Sequence, residues 1–484
     1  MNMTLTRWTL AAATTVLVAA CGGGSSSSQP TATGTMKTMY VTGAISGFGS
    51  VIVNGVHYES DSANVTLEGH SGTVGQLKVG EVVHLKAGID AQGNAHAQTI
   101  DQGRLIQGVV QAVDVGLGTL TIAGQVIKVD NATSFDASIP GGTLAGIKVG
   151  DRIEVHGFVS ASGEALATRI EKADAGDNEI EVTGLLSALD TVAKRFTVGT
   201  QVVDYSTAML EGFPASGPAA DDIVEAQGTS LLADGALQAT KVQKEDGDLH
   251  GHQGDGGELE GLVTDVVVGP PVVFKVDGQQ VTTTPNTIFV GGNSADLKTD
   301  ARVEVEGTLD ASGTMLVADK VIFKLESTLK LSAAVEDVNA GGGTLKVLGI
   351  TFIVTADTRK EDDRSDNHFF SLADVIGGDW VEMSGYPDPA GSGNMIATKL
   401  ERHSPESVVE LQGSADQLDL VNLTFKIAGV SVGTTLSTEF KDGDTPISST
   451  EFYAGAAGQQ VEVEGSWSTP LLTATKAQIE REQH

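Results

Sequence analysis

Carboxylates recur in this chain at one fixed place. Glu154, Glu225, Glu304, Glu382 and Glu462 each follow an aliphatic residue in a five-residue phrase: Ile153-Glu154-Val155-His156-Gly157, Val224-Glu225-Ala226-Gln227-Gly228, Val303-Glu304-Val305-Glu306-Gly307, Val381-Glu382-Met383-Ser384-Gly385 and Val461-Glu462-Val463-Glu464-Gly465. Such a row could bind cations or sugar hydroxyls. Repeat ancestry alone would give the same recurrence. The first copy, Val83-His84-Leu85-Lys86-Ala87, holds a histidine in the glutamate position, which argues against a strict chemical requirement. Period-two alternation directs these side chains to the outer face of a strand.

A second group lies in the stretch KEDGDLHGHQGDGGE, where His250 and His252 sit among Asp246, Asp248 and Asp255. Imidazole and carboxylate together are ligands for zinc or another divalent metal. The two histidines are only two residues apart in a glycine-rich stretch, and no cysteine or second histidine pair completes a tetrahedron. The spacing of a calcium loop is not met either. A solvated acidic linker is the competing reading. Phe48, between Gly47 and Gly49, is either an exposed ring for stacking on a sugar or a core plug beside a bend. The charged stretch RKEDDRSDNHFF, residues 359–370, interrupts one repeat. It is expected to be a long solvated loop, with a contact surface as the alternative.

One residue has a covalent chemistry of its own. Cys21 is the only cysteine in 484 residues, and it ends the run Val18-Ala19-Ala20-Cys21-Gly22. Arg7 followed by the uncharged run from Trp8 to Ala20 reads as a signal peptide over 1–20, too short to span a bilayer. Cleavage before Cys21 and acylation of its thiol are expected, as in a bacterial lipobox. With Gly22 rather than aspartate, resemblance to the sorting rule of enteric bacteria implies the outer membrane as the expected destination. Residues 21–39 then form a Gly/Ser-rich tether.

The elements that must position these residues repeat. The phrase recurs at steps of 70, 71, 79, 78 and 80 residues, counted from Ala87 to Gly465. Fixed-period self-similarity marks an array of small like units. Each unit reads as five strands. The first carries a central glycine (Gly43, Gly108, Gly184, Gly261 and Gly413, with Ala333 in the fifth copy). A tight hairpin follows, as at Asn54-Gly55. After a variable connection come the Val-Glu-Val strand and a final strand. Helical periodicity is nearly absent; Ser371 to Ile376 could form one helical turn. The expected organisation is repeat one at 40–103, repeat two at 104–173, repeat three at 180–243, an acidic linker at 244–257, repeat four at 258–324, repeat five at 328–402 and repeat six at 408–482. The linker is the expected hinge. Five short alternating strands predict a small barrel, all-β and OB-like, with the SH3-like barrel as nearest competitor.

In the first repeat, Ile45-Ser46-Gly47-Phe48-Gly49-Ser50-Val51-Ile52-Val53-Asn54-Gly55-Val56 precedes Leu77-Lys78-Val79-Gly80-Glu81-Val82-Val83. This resembles the DUF5666 family of bacterial envelope proteins, whose domain has an OB-like fold and no established function. The resemblance is best over residues 40–103 and extends to the other repeats, which lose the Gly-Phe-Gly-Ser phrase. It implies the fold and an envelope location. It transfers no catalytic residue.

Charge narrows the partners. Asp and Glu number 63 against 30 Lys and Arg, a net charge of −33. Nucleic-acid binding rests on basic residues neutralising phosphates, so it is not expected. No cofactor is expected. No Gly-x-Ser-x-Gly elbow, phosphate loop, His-Glu-x-x-His or cysteine nucleophile is present, and an enzyme is not expected. The function expected is a non-catalytic spacer or binding scaffold, lipid-anchored in the cell envelope and facing an envelope protein or glycan. The alternative is a carbohydrate- or exopolysaccharide-binding array.

Overall fold

A computed structural model describes residues 36–480 except 221, 246–248, 250 and 366. The signal segment, Cys21 and the tether up to Thr35 lie outside the described residues. The described chain forms one unit from Met36 onward.

Each repeat closes a five-stranded circuit. Repeat five shows it clearly, with strands Leu329–Asn339, Thr344–Val347, Ile350–Ile353, Trp380–Pro387 and Met395–His403. The first pairs with the second, the second with the third, the third with the fifth in parallel, the fifth with the fourth, and the fourth with the first. The other five repeats close in the same order. In repeat three the fifth strand is broken into Leu237–Gln238 and Lys241–Glu245. This parallel third-to-fifth closure is the OB order rather than the SH3 order.

Local chemistry explains the circuit. Asn54 and Gly55 both take positive φ, 51° and 76°, the conformation a two-residue hairpin requires. The glycine ending the Val-Glu-Val phrase has a steric reason. A Cβ on Gly157 would lie 2.0 Å from the Leu166 carbonyl, and on Gly465 2.2 Å from that of Thr473. The register between fourth and fifth strands shifts at this place in repeats two and six, so the glycine marks a bulge. Apolar side chains on the other face fill each barrel, as Val381, Met383, Phe352 and Leu400 do in repeat five.

The barrels then join edge to edge, giving three 13-stranded sheets. Repeats two and three pair their first strands antiparallel at Ile106–Val182, and repeats five and six do so at Leu331–Leu411. Repeats one and four, which are not neighbours in sequence, pair first strands in parallel at Met39–Gly256 to Thr42–Leu259. Tyr58 donates to Glu258 Oε2 at 3.1 Å, and the Ala44 amide donates to Glu260 Oε2 at 3.2 Å. Ala44, Val82, Phe158 and Leu262 make a small apolar cluster shared by repeats one, two and four.

Three expectations need correction. The described part of the 244–257 linker is not a free hinge. Leu249 is buried in the repeat-four core, and the Gly251 and Gly254 amides donate to the Gly313 and Leu309 carbonyls at 3.2 and 3.0 Å. The charged stretch at 359–370 begins as a buried strand, Arg359–Asp362, which pairs in parallel with the fifth strand of its own barrel. It is buried because other repeats cover it. Ser449–Gly455 is an α-helix, the only one among the described residues. Its capping box, Ser448 with Glu451, was present in the sequence but not read.

Candidate functional site

The repeated glutamates do sit on the outer faces of their barrels, but those faces are covered by charge partners. Glu304 is 2% exposed, with Lys324 Nζ 2.5 Å from its carboxylate. Glu382 lies 2.9 Å from both Lys330 and Lys399. Glu462 meets Lys476 at 3.0 Å. Glu154 lies 3.9 Å from Arg104 and 3.7 Å from His156. Glu225 reaches the same region as Arg104 and lines the main cleft. The five do not form one open row. Glu154, Glu304, Glu382 and Glu462 are each drawn into ion pairs.

The cleft, of about 580 Å³, lies among repeats one to four. Tyr40, Thr42 and His84 come from repeat one, Arg104 from the start of repeat two, Gln227 and Lys241 from repeat three, and Thr264 from repeat four. Arg104 organises an acidic cluster beside the cleft, and Glu68 of that cluster lines it. Its guanidinium lies 2.9 Å from Glu68, 2.7 Å from Glu179, 3.3 Å from Glu181 and 3.5 Å from Asp177. Burial would weaken its charge, but Glu181 and Glu68 outweigh that and hold it protonated. The acids pay for their number. Burial lifts Glu68 to about 7 against the pull of Arg104. Burial and the nearby Glu225 lift Glu181 well above the carboxylate range. The cluster is therefore rich in hydrogen-bonding groups, with one cation shared among several acids.

Phe48 is not an exposed platform. It is buried in the repeat-one core region and stacks on His368 of repeat five, with ring centroids 3.9 Å apart. Asp246, Asp248 and His250 lie outside the described residues. His252 is exposed and 3.6 Å from Asp255, and the described residues bring no further ligand to that pair.

What sequence reading missed is the junction where repeats one, two and five meet. The Lys78–Glu81 turn of repeat one lies on the fifth strand of repeat two. A Cβ on Gly80 would stand 2.8 Å from the Thr168 carbonyl, and Thr168 Oγ1 donates to the Gly80 carbonyl at 2.6 Å. Arg169, wholly buried, donates to the Val79 carbonyl at 3.0 Å and to Glu361 Oε1 at 2.9 Å. Arg359 donates to the Thr168 carbonyl at 3.1 Å and also to that of Ala132. Ser46 donates to the Ala356 carbonyl at 2.7 Å. The available signal was the density of charge at 359–362, which marked a contact surface but not its internal partner.

The profile of the family described as "domain of unknown function (DUF5666)" matches residues 40–101, 107–171, 183–243, 260–321, 333–401 and 412–478. The chain belongs to the DUF5666 family. The six matched segments coincide with the six barrels, so the DUF5666 unit is here an OB-like barrel. No curated protein matches the chain.

Proposed function

We propose that this DUF5666 protein is a non-catalytic scaffold of the bacterial cell envelope, anchored by an acylated Cys21 and displaying loops of its barrels to an envelope protein. The observation that carries this reading is one loop position. Between first and second strands, repeats two, three, four and six each expose an aliphatic tip: Val115, Val192, Val268 and Val421, at 58, 92, 87 and 90%. Single exposed aliphatics are ordinary on any surface. Four at the same place in the barrel are not what scatter gives, and this loop is one that OB folds use for ligands. In repeat one the position holds the covered Phe48. In repeat five it holds Ala340 and three glycines.

The lipobox, the tether and the acidic surface support the anchored, nucleic-acid-free part of the reading. A glycan-binding array is the second reading, favoured by the polar cleft around Arg104. It has lost Phe48 as a stacking platform. The test is capture from the native envelope with the full chain carrying Cys21→Ser, beside the same chain carrying Val192→Ser, Val268→Ser and Val421→Ser. A stoichiometric protein retained by the first and lost by the second is expected. Retention by both, or an empty eluate, overturns the loop reading. Glycan without protein selects the second.

A further inference from the structure

One position in the junction combines features that no other repeat has. In repeat two, Glu154 of the fourth strand stands directly opposite Glu171 of the fifth. Like charges directly opposite one another destabilise a sheet. Repeat five has the same pair, Glu382 opposite Glu401, and there Lys399 bridges it, 2.9 Å from Glu382 and in contact with Glu401. The residue of repeat two equivalent to Lys399 is Arg169, since Ala167-Thr168-Arg169-Ile170-Glu171 aligns with Ala397-Thr398-Lys399-Leu400-Glu401. Arg169 turns instead toward Asp136, Glu361 and the Val79 carbonyl, its Nε lying 3.7 Å from Glu171.

The bridging place is faced by His156. This side chain has no exposure. Its Nδ1 lies 3.1 Å from the Gly103 carbonyl, which leaves Nε2 facing the acids. Nε2 stops 3.5 Å from Glu171 Oε1 and 3.7 Å from Glu154 Oε1. Charge-assisted hydrogen bonds run at about 2.7–2.9 Å. Two ligands on one tetrahedral zinc, each about 2.0–2.2 Å from the metal, stand about 3.3–3.6 Å apart. Ligand atoms of Glu81, His156 and Glu171 all lie within 4.8 Å of one another, and all three residues are buried. The outer partners are in place as well. The Lys78 ammonium holds the other oxygen of Glu171 at 2.5 Å, and the Lys78 amide donates to Glu81 Oε2 at 3.0 Å. A histidine whose far nitrogen is fixed by a backbone carbonyl, among carboxylates fixed by their own donors, is the arrangement that orients metal ligands.

We propose that Glu81, His156 and Glu171 bind one divalent transition metal of the zinc class. The site joins repeat one to repeat two. Its three protein ligands are all buried and come from two barrels, which fits a structural role. Gly103, whose carbonyl meets His156, also lines the neighbouring cleft. The inference stands apart from the loop reading above.

The test titrates the metal-free full chain carrying Cys21→Ser with zinc alone and with cobalt(II) alone. One equivalent of zinc and a visible tetrahedral cobalt band are expected. His156→Gln should weaken binding about 100-fold or more, with far-UV circular dichroism unchanged. Glu171→Gln should do the same, which covers the case of a misfolded His156 variant. His252→Ala and His403→Gln should leave both signals intact, separating this site from the exposed histidine and from the Asp363, Glu401 and His403 group. No stoichiometric uptake by the native chain overturns the proposal. So does uptake that survives both His156→Gln and Glu171→Gln.

Discussion

Repeats two and five carry the same cross-strand pair of buried glutamates and neutralise it differently. In repeat five the barrel solves the problem alone. Lys399, with Lys330 added from the first strand, sits between Glu382 and Glu401. Repeat two spends its equivalent cation, Arg169, on neighbours, so its pair depends on Lys78 from repeat one and on His156. A shared backbone therefore leaves this glutamate pair self-contained in one barrel and dependent on assembly in the other. Ancestry set the acids, and the contacts between barrels decided where the cations went.

The comparison breaks most directly at Lys399. Lys399→Met leaves two buried carboxylates facing one another and should cost about 3–5 kcal/mol in denaturant unfolding. Adding Glu401→Gln should recover more than half of that loss; no recovery would mean that Lys399 matters for packing rather than charge. A smaller effect is expected at the contact of repeat five with repeat two. Arg359→Ala strands the Thr168 and Ala132 carbonyls and should cost about 2 kcal/mol. Hydrogen exchange should quicken at residues 132–136 and 166–170 before it does in repeat six.

A third effect, of a few degrees in Tm, comes from pH. Burial, with repulsion from Glu304, lifts Glu258 to about 8, and burial with repulsion from Glu401 lifts Asp363 to about 8. The folded chain thus keeps protons that the unfolded chain has released. Stability should fall as pH rises from the ordinary carboxylate range through about 8. Glu258→Gln with Asp363→Asn should flatten this slope, and a melting series from pH 5.5 to 8.5 reads it. The smallest effect is at the loop tips. Val192→Ser and Val421→Ser should change stability by less than about 0.5 kcal/mol, so any loss of partner in those variants is a loss of contact.

Short-range chemistry was legible in the sequence. The Asn54-Gly55 turn and the Val-Glu-Val-x-Gly phrase are local, and their physical causes, positive φ and the absence of room for a Cβ, act within one barrel. The number of strands followed from the same signals; the OB rather than SH3 closure did not, because both barrels share those local signals. What stayed hidden was pairing between barrels. A buried strand such as Arg359–Asp362 reads as a solvated loop because its charges are matched by residues far away in the chain. The linker misled for the opposite reason: its glycines and acids looked mobile, and one residue, Leu249, anchors it. His156 was in plain sight inside the repeated phrase. Read as one more variable position, it gave no hint that Glu81, from another repeat, would come to face it.

The parallel pairing of repeats one and four sets an order of events for folding. Ala44 and Glu260, which meet across it, are 216 residues apart, with two whole barrels between them. A chain emerging from its N-terminus at about 5–20 residues per second leaves the Met39–Thr42 edge without its partner for about 10–40 s. Bare strand edges invite pairing with other chains. A chain ending after repeat three would keep that edge indefinitely, and two such chains would find it on each other.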